Sequence, residues 1–232
     1  MRINWLSQYN HHFPPVETAT PDGMLAVGGD LHPDRLLAAY RRGIFPWYND
    51  PGPIIWHSPD PRFVLFPEEL KIHKSMRSYF NQEKYHITVD QRFRDVITAC
   101  ADVYRRGQNG TWITDDMIDA YTTLHQRGIA HSVEVWTPEG EIAGGLYGIA
   151  LGKVFFGESM FTTKPNGSKF GFIALIKALR DRYDFKLIDC QQKTKHLASL
   201  GARSIPRSEF VTLLNEWCEE AVWVNWLDLG NG

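Results

Sequence analysis

Three strand-like runs separated by very short turns constrain the fold of this chain more than any other feature. The runs are "HSVEVW", "EIAGGLYGIAL" and "KVFFGESMF", and only "TPEG" and "LG" join them. Turns of this length connect antiparallel neighbours, whereas a parallel crossover needs about a dozen residues or more. The sequence therefore predicts an antiparallel meander over residues 131–161.

Helix-like segments precede and follow the meander, so the sequence predicts an α+β fold with a mixed, mainly antiparallel sheet. The segments "DQRFRDVITACADVYRRG" and "TDDMIDAYTTLHQRG" come before it. We expect Asp90 to cap the first helix and Thr114 the second, because short polar side chains accept hydrogen bonds from free N–H groups at helix starts. After the meander come a helix, "SKFGFIALIKALRDRY", a strand, "KLIDCQ", and two further helices.

The first sixty or so residues have a different character, being dense in Pro, Gly and Trp. They contain one helical pattern, which begins at Pro33 and stops at Gly43. The prolines that follow forbid a long helix, and short strands are expected at Ile54–His57 and Phe63–Phe66. We predict a small N-terminal α/β domain over residues 1–62 and a larger domain over residues 63–232.

Composition and charge exclude several classes of protein. The formal net charge of −2 gives no global basic field, although a local basic patch is compatible with it. Three widely spaced cysteines give neither a disulfide framework nor a paired metal-ligand motif. The start "MRINWLSQYNHHFPP" lacks the apolar run of a secretory signal, and no segment approaches the roughly 20 apolar residues of a membrane span. These features predict a cytoplasmic protein without membrane contact.

The strand "KLIDCQ" carries the most suggestive group of polar residues. Side chains alternate between the faces of a strand, so Asp189 and Gln191 are expected on one face and Cys190 on the other, with Ile188. A thiol nucleophile would need Cys190 on the site face with His196 folded back over it. An ordinary strand end that meets a polar turn is the other explanation for Asp189 and Gln191.

A second candidate group lies in "FFGESMF" and in two loops. Glu158 interrupts an apolar strand, which is typical either of a strand edge in water or of a pocket. Trp47 and Trp112 lie in loop-like contexts, where aromatic residues form either the rim of a binding site or a cover over the core. The isolated pair His11–His12 fits no metal-binding motif, so we predict no metal.

Nine short segments occur in one order along nearly the whole chain, and together they are far more specific than any one of them. They are "GGDLHPDRLLAAYRRGIFPWY", "WHSPDPR", "GTWIT", "AYTTLHQRGIAHSVEVW", "GGLYG", "GESMF", "NGSK", "LIDCQ" and "HLASLGA" with "IPR". This set resembles the leucyl/phenylalanyl-tRNA–protein transferase family. The resemblance implies a small N-terminal domain followed by a GNAT-like acyltransferase domain.

The same resemblance implies a bacterial, cytoplasmic enzyme without a cofactor. Its partners would be Leu-tRNA or Phe-tRNA and proteins with an N-terminal Lys or Arg. It would move Leu or Phe from the aminoacyl-tRNA to the α-amine of such a protein, which marks that protein for degradation by the N-end rule.

The resemblance also implies roles for the residues of the two polar groups. The donor ester is already activated, and an α-amine with a pKa of about 7.7–8.0 is partly neutral, so the enzyme has only to orient two substrates. This role falls to Asp189 and Gln191: the amide NH2 would donate to Asp189, and the amide oxygen would accept from the attacking amine. Glu158 would pair with the cationic side chain of the acceptor, and Trp47 and Trp112 would lie near the terminal adenosine.

The remaining candidates form two sets. The apolar pocket for the transferred side chain would be formed by Leu146, Met160, Phe172, Leu175 and Ile188. Ser159 and Phe161 are two further candidates for substrate binding. Ile188 alternates with Asp189, so it reaches the same space only if the strand twists or frays. Contacts with tRNA phosphates would come from Lys71, Lys74, Arg77, Lys84, Arg41, Arg42 and Arg62.

Two other functions are compatible with parts of this pattern. The succession of strands and helices also suits an acetyl-CoA-dependent GNAT-type N-acyltransferase. Such enzymes usually offer a glycine-rich pyrophosphate loop at a helix start, and "TKPNGSK" has a single glycine. The other alternative is a non-catalytic tRNA-binding module, which the polar pair at Asp189 and Gln191 disfavours only weakly.

Overall fold

The computed structural model describes residues 4–49, 51–103 and 112–230. The strands are β1 (Trp5–Leu6), β2 (Met24–Gly28), β3 (Phe45–Pro46), β4 (Ile55–His57), β5 (Arg62–Leu65), β6 (His86–Val89), β7 (Ala130–Trp136), β8 (Ile142–Leu151), β9 (Val154–Thr162), β10 (Leu187–Asp189) and β11 (Arg203–Ile205). The α-helices are α1 (Pro33–Tyr40), α2 (Lys74–Asn81), α3 (Phe93–Ala101), α4 (Asp115–Gln126), α5 (Gly167–Tyr183), α6 (Lys195–Ser199) and α7 (Arg207–Trp217).

The first four strands form a small sheet in the order β1-β2-β4-β3. Only the β1–β2 pair is parallel. Helix α1 begins at Pro33, whose missing N–H costs nothing at that position. The chain leaves the helix through Gly43, whose φ of 71° a residue with a side chain rarely adopts.

The larger sheet has seven strands in the order β11-β5-β10-β9-β8-β7-β6. Strands β7, β8 and β9 pair antiparallel, which confirms the predicted meander. Strand β10 pairs parallel to β9, because the 17-residue helix α5 between them returns the chain to the same end of the sheet. The predicted α+β architecture with a mixed, mainly antiparallel sheet is therefore confirmed.

Hydrophobic residues cover both faces of the large sheet. Tyr147 of β8 packs in a cluster with residues of α1, α3, α4 and α7, whereas its neighbour Leu146 packs in a second cluster with residues of α2 and α5. This division follows from the alternation of side chains along a strand. Helices therefore cover both faces of the large sheet.

The boundary between the two sheets lies between β4 and β5. The hydrophobic core nevertheless runs across that boundary, since Tyr40 and Trp56 share a cluster with Tyr121 and Tyr147. The division into domains 1–62 and 63–232 stays a prediction.

Three local predictions had different outcomes. Thr114 caps α4 as expected, because its hydroxyl accepts from the Met117 N–H at 3.3 Å. The prediction for Asp90 was wrong: α3 begins only at Phe93, and the Asp90 carboxylate instead accepts from the Ser132 N–H at 2.9 Å. The strand predicted to reach Gln191 ends at Asp189.

Among the described residues, none of the helices has both the length and the apolar character that crossing a bilayer would need.

Candidate active site

A cavity of about 370 Å³ opens where β10 ends beside β9. It is lined by Phe45, Pro46, Trp47, Trp112, Leu146, Tyr147, Gly157, Glu158, Ser159, Met160, Phe172, Asp189, Cys190, Gln191, Gln192, Thr194 and Leu197. These residues come from the small sheet, from the meander, from α5 and from the segment after β10. The cavity therefore depends on parts of the chain that are far apart in sequence.

The cavity lies where the parallel strands β9 and β10 stop pairing. Strand β10 pairs with β9 only as far as Asp189 opposite Phe156, whereas β9 continues to Thr162. Beyond that point, within the described residues, β9 is paired with β8 alone. The last polar residue of β10 and the residues just after it therefore border the gap.

A β-bulge places Glu158 at this gap. Gly148 of β8 pairs with Gly157 and Tyr147 pairs with Ser159, so Glu158 is the extra residue between two paired ones. Bulges redirect side chains and are common beside active sites. The packing shows the effect of the bulge: Phe155 and Phe161 are six residues apart, yet they pack on opposite faces of the sheet.

Glu158 is buried, with 8% of its surface exposed. One carboxylate oxygen accepts from Gln191 Nε2 at 2.8 Å, and the other accepts from the Tyr121 hydroxyl at 3.3 Å. The Tyr121 hydroxyl is also hydrogen bonded to that of Tyr40. Burial raises the pKa of Glu158 to about 7, and hydrogen bonds from Tyr40 and Tyr121 only partly oppose this effect. Glu158 therefore changes charge near neutral pH.

Asp189 is completely buried but has a cationic partner. Its two carboxylate oxygens accept from Arg62 Nε at 2.8 Å and from Arg62 Nη2 at 2.6 Å. The Arg62 guanidinium lies 4.7 Å from the ring centre of Phe45 and 4.8 Å from that of Phe210. The bidentate pair neutralises a charge that would otherwise be costly to bury.

The two carboxylates hold Gln191 from two sides. Asp189 Oδ1 accepts from the Gln191 main-chain N–H at 2.9 Å, while Glu158 accepts from the side-chain NH2. Gln191 has a φ of 57°, and the bond to Asp189 fixes this turn. We expected Asp189 to orient the side-chain amide; that expectation was wrong, because Glu158 has this contact. A carboxylate only accepts, so the amide oxygen of Gln191 faces away from it.

Cys190 borders the cavity without the surroundings of a nucleophile. Its thiol lies 3.9 Å from the Ile188 carbonyl oxygen, to which it donates. Burial raises the pKa of the thiol far above its ordinary value, and the charge of Asp189 adds to this effect. Reactive cysteines have lowered pKa values, so the arrangement disfavours the thiol mechanism.

The structure brings most of the predicted substrate-binding residues into this one cavity. Beside Glu158, they are Trp47, Trp112, Leu146, Ser159, Met160 and Phe172. The sequence did not point to Tyr40 and Tyr121, whose hydroxyls reach the site from two helices that are distant in the chain. No local pattern distinguishes these tyrosines from ordinary core residues.

Three predicted substrate-binding residues lie outside the lining of the cavity, and these predictions were wrong. Phe161 follows Met160 on β9 and therefore packs on the opposite face. Leu175 is buried in the cluster around α5. Ile188 is completely buried in the same cluster, because the regular strand at this point directs it away from Asp189.

The predicted tRNA-binding residues fall into different environments. Lys71, Lys74, Arg77 and Lys84 are exposed in and around α2. Arg41 forms an ion pair with Glu219 at 3.0 Å, and Arg42 donates to two main-chain carbonyls near residue 13. The prediction for Arg62 was wrong, because its side chain is 1% exposed and bound to Asp189. A buried, paired guanidinium cannot reach a phosphate.

One group of side chains outside the cavity could hold a metal ion. Ligand atoms of His11, His32 and Asp34 lie within 4.8 Å of one another. None of the three lines the cavity, and His32 and Asp34 are largely exposed. This group is separate from the carboxylates around Gln191.

The cavity contains an amide fixed by two buried carboxylates and a cysteine with a raised pKa. These features suit an enzyme that orients two reactants better than one that uses the thiol as a nucleophile. Comparison with known proteins gives a more specific result. The model of the family "Leucyl/phenylalanyl-tRNA protein transferase" matches residues 64–215, and that of its N-terminal domain matches residues 29–60. The chain belongs to the leucyl/phenylalanyl-tRNA–protein transferase family.

Relatives named leucyl/phenylalanyl-tRNA–protein transferase are similar over nearly the whole chain. The relative from Nitrosospira multiformis is 56% identical over 92% of this chain and 91% of its own length. The relative from Stutzerimonas stutzeri is 53% identical over 91% of this chain and 93% of its own length. The relative from Myxococcus xanthus is 54% identical over 87% of this chain and 86% of its own length. Among solved structures, L-PGS from Bacillus licheniformis aligns at a TM-score of 0.41 with 13% identity, over 67% of this chain and 50% of that one. A similarity at that level carries no argument.

Proposed function

We propose that this chain is an aminoacyltransferase that moves Leu or Phe from aminoacyl-tRNA to the α-amine of an N-terminal Lys or Arg. The observation that carries the proposal is the side chain of Gln191, held by two buried carboxylates at the edge of a cavity in a member of this family. The product would be a protein marked for N-end-rule degradation in the cytoplasm.

Chemically, the reaction is aminolysis of an ester. The carbonyl carbon of the aminoacyl ester is attacked by the neutral α-amine, a peptide bond forms, and the terminal ribose hydroxyl leaves with a proton. The Gln191 amide oxygen accepts a hydrogen bond from the attacking amine, which fixes the direction of attack. An amide oxygen is too weak a base to take the proton, so the effect of Gln191 is orientation, which contributes up to roughly 7–11 kcal/mol in well-placed reactants.

The cavity suits the transferred side chain. Leu146, Met160 and Phe172 supply apolar lining, and the volume of about 370 Å³ lies within the usual range for small-molecule sites. Trp47 and Trp112 supply aromatic surface on which the terminal adenosine can stack. One cavity thus offers surfaces for both ends of the aminoacyl-adenosine.

Glu158 has two tasks in this proposal. Its ionised form accepts from the Gln191 NH2 and keeps the amide oxygen directed at the amine. The same negative charge attracts the cationic side chain of an acceptor that begins with Lys or Arg. Both tasks need the carboxylate, and its pKa of about 7 makes them depend on pH in the neutral range.

We also propose that residues 63–232 form a GNAT-like acyltransferase domain. The proposal is supported by the order of elements from β6 to α6: a meander, then helix α5, then β10 and a further helix. In this arrangement the donor ester would lie at the gap beside β10.

The decisive experiment is transfer of labelled Leu from Leu-tRNA to a peptide that begins with Arg. The purified full chain is expected to label this peptide and to leave the same peptide with an acetylated α-amine unlabelled. A chain that transfers nothing, beside a relative that does, would overturn the proposal. Acetyl-CoA in place of Leu-tRNA tests the competing acyltransferase function, and we expect no transfer from it.

A further inference from the structure

Two histidines and an aspartate from separate parts of the chain meet outside the cavity. His11 lies in the N-terminal segment, whereas His32 caps the start of α1 and Asp34 lies in its first turn. Each residue offers one ligand atom, and these atoms lie within 4.8 Å of one another. The sequence pattern does not show this group, because the pair His11–His12 has no ligand spacing and the fold instead brings His11 beside His32.

The distances in this group suit a single metal ion with tetrahedral ligands. Zinc binds histidine nitrogen and carboxylate oxygen at about 2.0–2.2 Å, which places two ligand atoms about 3.3–3.5 Å apart. His32 Nδ1 lies 3.6 Å from Asp34 Oδ2. The ring centres of His11 and His32 are 5.4 Å apart, and two imidazoles on one such ion would have ring centres about 5 Å apart. Small rotations of partly exposed side chains therefore complete the geometry.

His32 and Asp34 each have a lone pair directed towards the other. The Asp34 Oδ1 atom accepts from Arg127 Nη1 at 3.2 Å, which leaves Oδ2 on the side of His32. His32 Nδ1 accepts from the Asp34 N–H at 3.3 Å, so Nδ1 is the unprotonated nitrogen of the neutral ring. That hydrogen bond is long, and a cation on Nδ1 would replace it. Arg127 has the place of an outer partner that orients a ligating carboxylate.

The main chain that carries the ligands is fixed by a buried ion pair. Arg35 is completely buried and pairs with Asp30 at 3.0 Å. Arg35 also donates to the Ser7 carbonyl oxygen at 2.7 Å, and Asp30 accepts from the His32 N–H at 2.8 Å. One pair thus holds both the N-terminal segment and the start of α1, which are the two parts of the chain that supply the ligands.

His11 lies between two such anchors. Ser7 is held on one side, and on the other side the Phe13 carbonyl oxygen accepts from Arg42 Nη1 at 2.9 Å. The Phe13 ring packs edge-on against Trp56, with ring centres 4.9 Å apart. A ligand on a fixed main chain loses little conformational freedom when it binds, so its affinity for an ion is higher than that of an exposed histidine on a free segment.

The types of ligand atom select the class of ion. Magnesium and calcium prefer sites made of oxygen atoms alone, whereas imidazole suits zinc, copper, iron and nickel. Two histidines and one carboxylate form a known set of zinc ligands, in which a water molecule takes the fourth position. Zinc is therefore the ion that this group of residues fits best.

We propose that His11, His32 and Asp34 bind one Zn²⁺ ion, which joins the N-terminal segment to the start of α1. The proposal is independent of aminoacyl transfer, because none of the three residues lines the cavity. An ion that binds the folded chain but not the unfolded one stabilises the fold by mass action. The stabilised region includes β1, a strand of two residues at the edge of the small sheet.

Titration calorimetry of the full chain with zinc chloride, after treatment with a chelator, tests the proposal directly. We expect one ion per chain. His11→Ala and His32→Asn should each weaken binding by more than the roughly 10–100-fold that loss of an outer partner causes. Asparagine can still accept from the Asp34 N–H, so α1 keeps its cap in His32→Asn. The matched control is His12→Ala, a change at the exposed neighbour, which should bind zinc as the wild type does.

Thermal unfolding and cobalt substitution give two further readouts. Zinc should raise the Tm of the wild type and of His12→Ala, EDTA should reverse the rise, and His11→Ala should show none. Cobalt in place of zinc should give visible absorption bands without a thiolate charge-transfer band, because no cysteine belongs to the site.

Several results would overturn the proposal. The wild type could bind no zinc, or binding could persist in both His11→Ala and His32→Asn. An equal loss of binding in His12→Ala would show that exposed histidines hold the ion without a defined site, and a thiolate band would assign the ion to a cysteine. Transfer of Leu by the zinc-free chain tests the proposed function separately, so the two proposals can fail independently.

Discussion

Asp189 and Glu158 are both buried carboxylates that hold Gln191, but their surroundings differ. Asp189 is bound in a bidentate manner by Arg62. Glu158 accepts from neutral groups, Tyr121 and the amide of Gln191. Within the described residues, no cation forms an ion pair with Glu158. Two residues of the same chemical type thus occupy one site under different electrostatic conditions.

Because their partners differ, Asp189 has a structural task and Glu158 has a task that depends on pH. Asp189, paired with a guanidinium that is always charged, fixes the main chain at Gln191. Glu158, with a pKa of about 7, fixes the amide only while it is ionised. Changes at the Asp189 side should therefore affect the stability of the fold, and changes at the Glu158 side should affect pH dependence.

The largest effect is expected from Arg62→Met, which removes the cationic partner of Asp189. It leaves the Asp189 charge buried without its partner, and breaking such a pair costs about 3–5 kcal/mol. Urea unfolding should show this loss in the free energy of unfolding. The double variant Arg62→Met/Asp189→Leu should recover most of it, since neither charge remains. A single variant as stable as the wild type would contradict the anchoring task of the pair.

The next effect concerns the residue that both carboxylates hold. Gln191→Ala is expected to lower kcat for transfer from Leu-tRNA by about 10²-fold, because the amine loses its orienting acceptor. Stability should fall by about 1–3 kcal/mol, because the buried Glu158 loses one hydrogen bond, whereas the main-chain bond to Asp189 remains. The matched control is Gln126→Ala, a change at an exposed glutamine at the end of α4. Unchanged kcat in Gln191→Ala would contradict the proposed orientation.

An effect of similar size, but confined to one pH range, is expected from Glu158→Gln. The folded pKa of Glu158, about 7, is raised above its ordinary value of 4.5. Between these values the folded protein binds more protons than the unfolded chain, so the contribution of Glu158 to stability is full below pH 4.5 and is lost as pH rises to 7. The loss is on the order of 3 kcal/mol.

Denaturant titrations of the wild type and Glu158→Gln at several pH values check this prediction. The difference between the two free energies of unfolding should change across pH 4.5–7 and be constant above about pH 8. A difference that is constant over the whole range would show that Glu158 titrates normally in the folded protein.

The smallest effect is expected at Cys190, which lies between Asp189 and Gln191 in the sequence. Cys190→Ala should keep the transfer rate within about twofold, because its thiol has a raised pKa and donates only to a main-chain carbonyl. Steady-state kinetics with Leu-tRNA measure this directly. Loss of transfer in Cys190→Ala would revive the thiol mechanism and make the comparison of the two carboxylates irrelevant to catalysis.

Local features of the fold followed from the sequence because their causes are local. The meander follows from short turns, and the Thr114 cap from a hydroxyl three residues before a free N–H. The prediction for Asp90 failed because its carboxylate bonds to the main chain of β7, 42 positions away. Competition from a partner distant in sequence is not visible in a helix pattern.

The sequence predicted the residues of the candidate site better than the contacts between them. Asp189, Gln191 and Glu158 were all named from the sequence, and they lie together. Alternation predicted that Asp189 and Gln191 share a face, and the resemblance implied that Asp189 orients the amide. The strand instead ends at Asp189, and a bulge moves Glu158 next to the amide. Bulges and strand ends depend on the neighbouring strands, so a single strand pattern does not locate them.

The sequence by itself determined the central meander and the family, because each of these is written in contiguous motifs. Only the tertiary structure decided which partner each carboxylate has. Arg62 reaches Asp189 across 127 positions of the chain, and Tyr121 reaches Glu158 across 37. The charge and burial of a side chain depend on the groups that lie within a few ångströms of it in the folded chain. The separation of two residues in the sequence does not give that distance.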